Sequence, residues 1–130
     1  MATLSWSLTI QVSGNAAVIL SRPPMEVEAT DRIEVSIQPG DADKVIDLQP
    51  GGSSAMHLLV IKSSSYGEHL SVKVGDGTTD SPPLTLDSPQ VFSSGSVALF
   101  GVAPRQMKFT NTSSDKPASV EILVARDATP

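Results

Sequence analysis

The chain has 130 residues and a net charge of −5, and hydrophobic residues make up 39% of it. This length and composition fit one globular domain spanning residues 1–130, and they exclude a disordered chain. Nine scattered Lys and Arg residues argue against a nucleic-acid partner, and the absence of cysteine excludes disulfides and thiolate chemistry.

The N-terminal segment alternates apolar and polar residues. The even-numbered positions are apolar, namely Leu4, Trp6, Leu8, Ile10 and Val12. A period of two is typical of a strand with one buried face, so we predict a strand over Leu4–Val12 with Trp6 in the core. The alternative is an arm or edge strand that pairs with a partner's sheet. Because neither a basic region nor a continuous apolar block stands here, we expect no signal peptide and synthesis in a cytoplasm.

The window Met25–Gln38 contains neither proline nor glycine, and it also alternates with period two. We predict one half-buried strand here, or two strands joined near Asp31. Pro39-Gly40 and Pro50-Gly51 each follow a glutamine, and proline before glycine suits the central positions of a type II turn. These two turns should bound one short strand, Val45–Leu48.

The rest of the chain supplies further short strands separated by turn residues, including a hairpin-type turn at Asp76-Gly77. These strands are predicted at Met56–Lys62, Leu70–Val74, Leu84–Leu86, Val97–Val102, Gln106–Thr110 and Val120–Val124. Glycine and proline recur too often for long helices. The predicted fold class is therefore all-β, an antiparallel β-sandwich or jelly roll of about 8–10 short strands.

Two segments are apolar without alternation, namely Leu58–Ile61 and Val97–Phe100. A continuous apolar run of this length is typical of a strand buried on both faces, either centrally in the sandwich or beneath a neighbouring subunit. Both runs are far shorter than the roughly 18 apolar residues that identify a membrane-spanning helix. We therefore expect no membrane partner.

The polar residues show no catalytic pattern. His57 and His69 lack the spacing of metal ligands, and no serine lies in a nucleophile motif such as Gly-x-Ser-x-Gly. The segment Asn111-Thr112-Ser113 matches the N-glycosylation acceptor pattern, which we interpret as a chance match in a turn. We predict no enzyme activity, no catalytic residues, no metal site and no cofactor.

Two aspartate-rich turns support an alternative function. Asp41, Asp43 and Asp47 surround one turn, and Asp76 and Asp80 flank another. Carboxylate oxygens are ligands that calcium prefers, although the glycine and terminal glutamate of an EF-hand loop are missing. The alternative is a small ligand-binding or adhesion module that depends on carbohydrate or calcium.

Several segments carry a resemblance to a known class of proteins. They are Leu58-Leu59-Val60-Ile61-Lys62-Ser63-Ser64, Phe109-Thr110-Asn111 and Val120-Glu121-Ile122-Leu123-Val124. In overall character, this mildly acidic and serine-rich chain resembles small virion structural proteins of tailed bacteriophages, namely capsid decoration or cement proteins and tail proteins. The resemblance implies a homo-oligomer, with a trimer favoured, that binds the major capsid protein or another virion protein and stabilises the shell. It also implies localisation in the virion after synthesis in the host cytoplasm, with a tail or baseplate component as the alternative role.

An assembling protein needs contact residues on its surface. We predict that the interface includes Trp6 and the loop formed by Ser63, Ser64, Ser65 and Tyr66. A strand edge or arm at Leu4–Val12 would be the means of pairing with a partner.

Overall fold

A computed structural model describes residues 2–48 and 56–127. Within these ranges the chain forms ten strands and one 3₁₀ helix, Ser94–Phe100. The strands are β1 (Ala2–Ile10), β2 (Val18–Val27), β3 (Ala29–Ile37), β4 (Lys44–Asp47), β5 (Met56–Ser63), β6 (Leu70–Gly75), β7 (Leu84–Thr85), β8 (Gln90–Ser93), β9 (Gln106–Asn111) and β10 (Ala118–Arg126). No helix in the described ranges is long and apolar enough to cross a membrane.

Eight of the strands form a jelly roll. A first sheet has the order β3-β10-β5-β8, and a second sheet has the order β4-β9-β6-β7. The antiparallel pairs are nested, since β3 pairs with β10, β4 with β9, β5 with β8 and β6 with β7. This nesting is what a long antiparallel hairpin gives when it rolls up into two facing sheets. The predicted fold class is confirmed.

The core lies between the two sheets. Burial alternates along β9 and β10, as the period-two pattern of their sequences predicts. The inward side chains are almost fully buried, and the largest of them include Ile37, Leu59, Ile61, Leu70, Met107, Phe109 and Ile122. Because burial of one such side chain contributes about 1.5–3 kcal/mol, this cluster provides most of the hydrophobic stabilisation of the sandwich.

Strands β1 and β2 form a separate two-stranded ribbon, the N-terminal hairpin, which spans residues 2–27. Its antiparallel register runs from Ala2 opposite Val27 to Ile10 opposite Val18, with a shift between Leu4 and Trp6. At this shift β2 carries Pro23 and Pro24, which have no N–H to donate and therefore suit a bulge. The sequence predicts the strand β1. It does not predict the first part of β2, because Pro23 and Pro24 interrupt the strand pattern there.

Three local predictions have definite outcomes. Gly40 has a φ of 85°, and the Asp41 N–H donates to the Gln38 carbonyl over 3.0 Å, so the predicted turn at Pro39-Gly40 is confirmed. The window Met25–Gln38 does hold two strands, but they meet at Glu28 rather than near Asp31. The predicted turn at Pro50-Gly51 lies outside the described residues.

The predicted strand over Val97–Val102 is wrong. These residues belong to the 3₁₀ helix and the turn after it, which begins at Gly101 with a φ of 75°. The Ser93 N–H donates to Ser96 Oγ over 2.8 Å at the start of the helix. In this helix Val97 is buried whereas Leu99 is 82% exposed, so the run is not buried on both faces.

Candidate functional site

The N-terminal hairpin has one apolar and one polar face. Residues directly opposite each other in an antiparallel pair point to the same side of the sheet. The register therefore places Thr3 with Glu26 and Ser7 with Ser21 on the polar face, where Ile19 is an apolar exception. The other side, here called the apolar face, carries Leu4, Trp6, Leu8, Ile10, Val18, Leu20, Met25 and Val27. Its one charged side chain is that of Arg22, which stands opposite Trp6 at the base of the hairpin, and Arg22 Nε lies 3.1 Å from Met25 Sδ.

The base of the apolar face packs on the outside of the first sheet. Leu4, Trp6 and Met25 pack in one cluster with Leu58 and Ala125, which are 3% and 1% exposed. Neighbouring residues of β5 point to opposite sides, so Leu59 and Ile61 reach the core while Leu58 faces the hairpin.

The prediction that this segment of β5 is buried on both faces is therefore confirmed. Leu59 and Ile61 are buried on the core side, and on the hairpin side Leu58 is buried and Val60 is half-buried. Their second cover is the chain's own hairpin, which the sequence did not predict.

The outer half of the apolar face has no cover in the described part of the chain. Leu8, Ile10, Val18 and Leu20 are 40%, 44%, 53% and 47% exposed. Isolated exposed apolar side chains are common, whereas a contiguous apolar patch is typical of an interaction surface. No charged side chain interrupts this patch, since residues 1–21 contain none.

A groove of about 140 Å³ lies where the hairpin meets the first sheet. The hairpin lines it with Trp6, Ser7 and Leu8, and the sheet lines it with Leu58, Val60 and Val91. The indole N–H of Trp6 is buried, and it has no hydrogen-bond acceptor among the described residues. Such an orphan donor costs about 1–3 kcal/mol.

The predicted interface residues lie on different elements. Trp6 belongs to the apolar face, whereas the other four end β5 or follow it. The Ser63 N–H donates to Tyr66 Oη over 2.9 Å, and the Ser64 N–H donates to the Ser119 carbonyl over 2.9 Å. These contacts give the Ser63–Tyr66 segment a structural role in closing the turn after β5.

Sequence reasoning missed Leu8, Ile10, Val18 and Leu20 as a surface patch. The alternation of β1 predicts a face in the core, with a partner-pairing arm or edge strand as the alternative, because a period-two pattern does not say what covers the apolar side. The signal that could have identified the patch is the lack of charge across residues 1–21.

The histidines make local contacts. His69 Nε2 and Ser65 Oγ share a hydrogen bond of 2.9 Å, and His57 Nε2 lies 3.0 Å from Asp127 Oδ2. A nucleophilic serine needs a histidine that a third group orients, usually a carboxylate. Among the described residues no carboxylate forms an ion pair with His69, so Ser65 and His69 do not extend into a triad.

Asp76 and Asp80, which flank the second aspartate-rich turn, are engaged within the chain. Asp76 Oδ1 accepts the N–H groups of Thr79 and Thr78 over 2.7 and 2.8 Å, and these bonds hold the pKa of Asp76 below its ordinary value. Asp80 accepts a hydrogen bond from Lys108 Nζ over 2.9 Å, which raises the pKa of Lys108. In the parts of the chain that the structure describes, no group of three or more His, Asp or Glu side chains could hold a metal ion.

Comparison with known proteins adds no relative to these observations. No protein-family model, no curated protein and no solved structure matches the chain. The functional conclusion therefore rests on the hairpin and the jelly roll themselves.

Proposed function

We propose that this chain is a non-catalytic virion structural protein, a capsid decoration or cement protein, that forms a homo-oligomer and stabilises the capsid shell. The observation that carries the proposal is the outer half of the hairpin, which has no charged side chain through Ser21 and exposes its apolar residues beside the jelly roll. An exposed contiguous apolar patch favours aggregation unless a partner covers it. A protein that works in an assembly has such a partner.

The jelly roll suits this role. The architecture occurs in viral capsid proteins, lectins and cupins, so the fold by itself does not choose among them. The exposed hairpin favours the assembling class, because neither carbohydrate binding nor metal chemistry needs an uncharged apolar ribbon. A protein that binds only the assembled shell stabilises it by mass action, and weak contacts repeated over a lattice add up to strong binding.

Solution mass is the first test of the proposed assembly. Light scattering of the purified chain should give a discrete trimer or larger closed oligomer, and the mass should be the same with calcium and with EDTA. A chain that is monomeric at every concentration contradicts the proposed homo-oligomer. A mass or melting temperature that rises only with calcium favours the ligand-binding module.

Cosedimentation tests the decoration role separately. The purified chain is mixed with shells assembled from the major capsid protein of the same genome, and in parallel with the unassembled capsid subunit. We expect saturable binding to shells, a higher melting temperature of the decorated shell, and no binding to the free subunit. Equal binding to both forms would contradict a role in stabilising the assembled state, because mass action requires preference for that state.

A further inference from the structure

We infer that the apolar face of the N-terminal hairpin is the surface through which copies of this chain associate, with its outer half packed around the symmetry axis of the oligomer against the same faces of the other copies. This inference rests on the proposed homo-oligomer, and it adds the contact surface and the identity of the first partner. The residues that carry the contact are Leu8, Ile10, Val18 and Leu20.

The exposed residues supply more than half of the area that such a contact needs. Exposures of 40% to 56% for Leu8, Ile10, Val12, Val18 and Leu20, with Val91 at 47%, leave apolar surface on the outer half of the hairpin and beside the groove. These residues together offer roughly 500 Å², against roughly 800 Å² per partner in a stable interface. The groove beside them, which Trp6 and Val60 also line, extends this surface.

Charge favours a second copy over other partners. The chain carries a net charge of −5, so two copies repel each other over most of their surfaces. Residues 1–21 contain no charged side chain, so the outer half of the hairpin is a place where copies can meet without apposing like charges. An acidic partner would require basic residues, and Arg22 is the only one in residues 1–27.

The register gives the contact a regular form. Leu8 stands opposite Leu20, and Ile10 stands opposite Val18, so two apolar rows cross the ribbon. A surface that meets its own copy about a symmetry axis must be complementary to itself. Uncharged aliphatic rows meet this condition, because their side chains contain no hydrogen-bond donor that needs an acceptor and no charge that needs an opposite charge.

A cross-strand double variant tests the inference. Ile10→Thr with Val18→Thr removes apolar surface but keeps β-branched residues, and a Thr–Thr pair is favourable between strands. The matched controls are Val45→Thr on β4, which is 51% exposed against 53% for Val18, and Ile19→Thr on the polar face. Light scattering across a dilution series measures the concentration at which the oligomer dissociates. We expect the double variant to raise it at least about tenfold and the controls to leave it within about twofold.

The outcomes separate this inference from the proposed function. An oligomer that survives the double variant unchanged overturns the inference, while the proposed homo-oligomer stands on another surface. A wild-type chain that stays monomeric overturns both, and flotation of that monomer with phosphatidylcholine vesicles would assign the hairpin to a lipid surface. Unchanged emission of Trp6, the only tryptophan, shows that the hairpin base of the variant remains packed.

If the double variant does not fold, a crosslinking experiment tests the same contact surface. The chain has no cysteine, so Val18→Cys introduces a single thiol, and Val45→Cys is its control. A short bis-maleimide should link copies through position 18 and not through position 45. Equal linking at both positions, or none at position 18, overturns the inference.

Discussion

The buried side chain of Asn111 connects three separate backbone groups by hydrogen bonds. It is 0% exposed, its Nδ2 donates to the carbonyls of Ile37 and Lys116 over 3.1 and 2.8 Å, and its Oδ1 accepts the Ser113 N–H over 3.0 Å. The nitrogen that a glycan would modify is thus buried and already engaged. The acceptor pattern at Asn111-Thr112-Ser113 marks a structural residue, which agrees with its interpretation as a chance match.

Replacement of Asn111 should therefore destabilise the sandwich strongly. Asn111→Ala removes the donor to the buried Ile37 carbonyl and to the half-buried Lys116 carbonyl, and the acceptor of the Ser113 N–H, so we expect the free energy of unfolding to fall by about 2–4 kcal/mol. Urea denaturation measures this loss, and Thr112→Ala, an exposed neighbouring position, serves as the control. A loss no larger than that of the control would show that water replaces the contacts of Asn111.

Asp76 gives stability a pH dependence with a definite sign. Hydrogen bonds from Thr79 and Thr78 lower the pKa of this carboxyl in the folded state, so its contribution is complete above the ordinary aspartate pKa of about 3.9 and is lost as the pH falls through the lowered value. We expect Asp76→Ala to lower the melting temperature at pH 7 and to approach the wild type in strong acid. Thermal melts from pH 7 to pH 2 measure the gap, with Asp87→Ala as the control. A gap that stays constant with pH would refute the role of the ionised carboxylate.

At the scale of elements, a glycine affects stability where the backbone has a positive φ, which other residues adopt only with strain. Gly40 has a φ of 85° in the turn between β3 and β4, with open space where a Cβ would lie. Gly95 in the 3₁₀ helix also has open space but no positive φ. Comparing the two positions isolates the conformational cost of a left-handed residue from any steric clash.

We expect Gly40→Ala to lower the free energy of unfolding by about 1–2 kcal/mol, because an L-residue is strained in the left-handed region. Gly95→Ala should change it by less than about 0.5 kcal/mol. Chemical denaturation of both variants provides the measurement. Equal effects at the two positions would mean that backbone conformation does not determine the cost at Gly40.

The N-terminal hairpin is an element of two unequal parts. Its base helps to cover Leu58 and Ala125, and burial of these residues anchors the ribbon to the first sheet. Its outer half has no such contact, and Ile19 is 68% exposed even on the polar face. An isolated two-stranded ribbon is only marginally stable in water, so the outer half gains most from a partner.

At the scale of the whole molecule, assembly should appear as stability that depends on concentration. Association stabilises the native state by mass action, so the melting temperature should rise with protein concentration. The double variant Ile10→Thr with Val18→Thr should weaken that dependence, whereas Val45→Thr should retain it. Scanning calorimetry over a hundredfold concentration range measures the effect. A melting temperature independent of concentration in the wild-type chain would contradict association of the native state.

Local pattern was enough to predict much of the fold. The alternation in β1, β9 and β10, and the Pro39-Gly40 turn, predicted strands and a turn that the structure contains, because side-chain direction in a strand and the φ preferences of proline and glycine are properties of neighbouring residues. The same reasoning failed at Val97–Val102, where a short apolar run fits a helix as well as a strand.

Only the tertiary structure decided which apolar surfaces are covered. The sequence by itself determined that Leu58–Ile61 is apolar on both sides and that residues 1–21 carry no charge. It did not determine that Leu4, Trp6 and Met25 pack over Leu58, that Trp6 lies on a different element from Ser63–Tyr66, or that Leu8 and Val18 stay exposed. These facts depend on contacts between residues far apart in the chain, and a periodic pattern records the presence of an apolar face but not its partner.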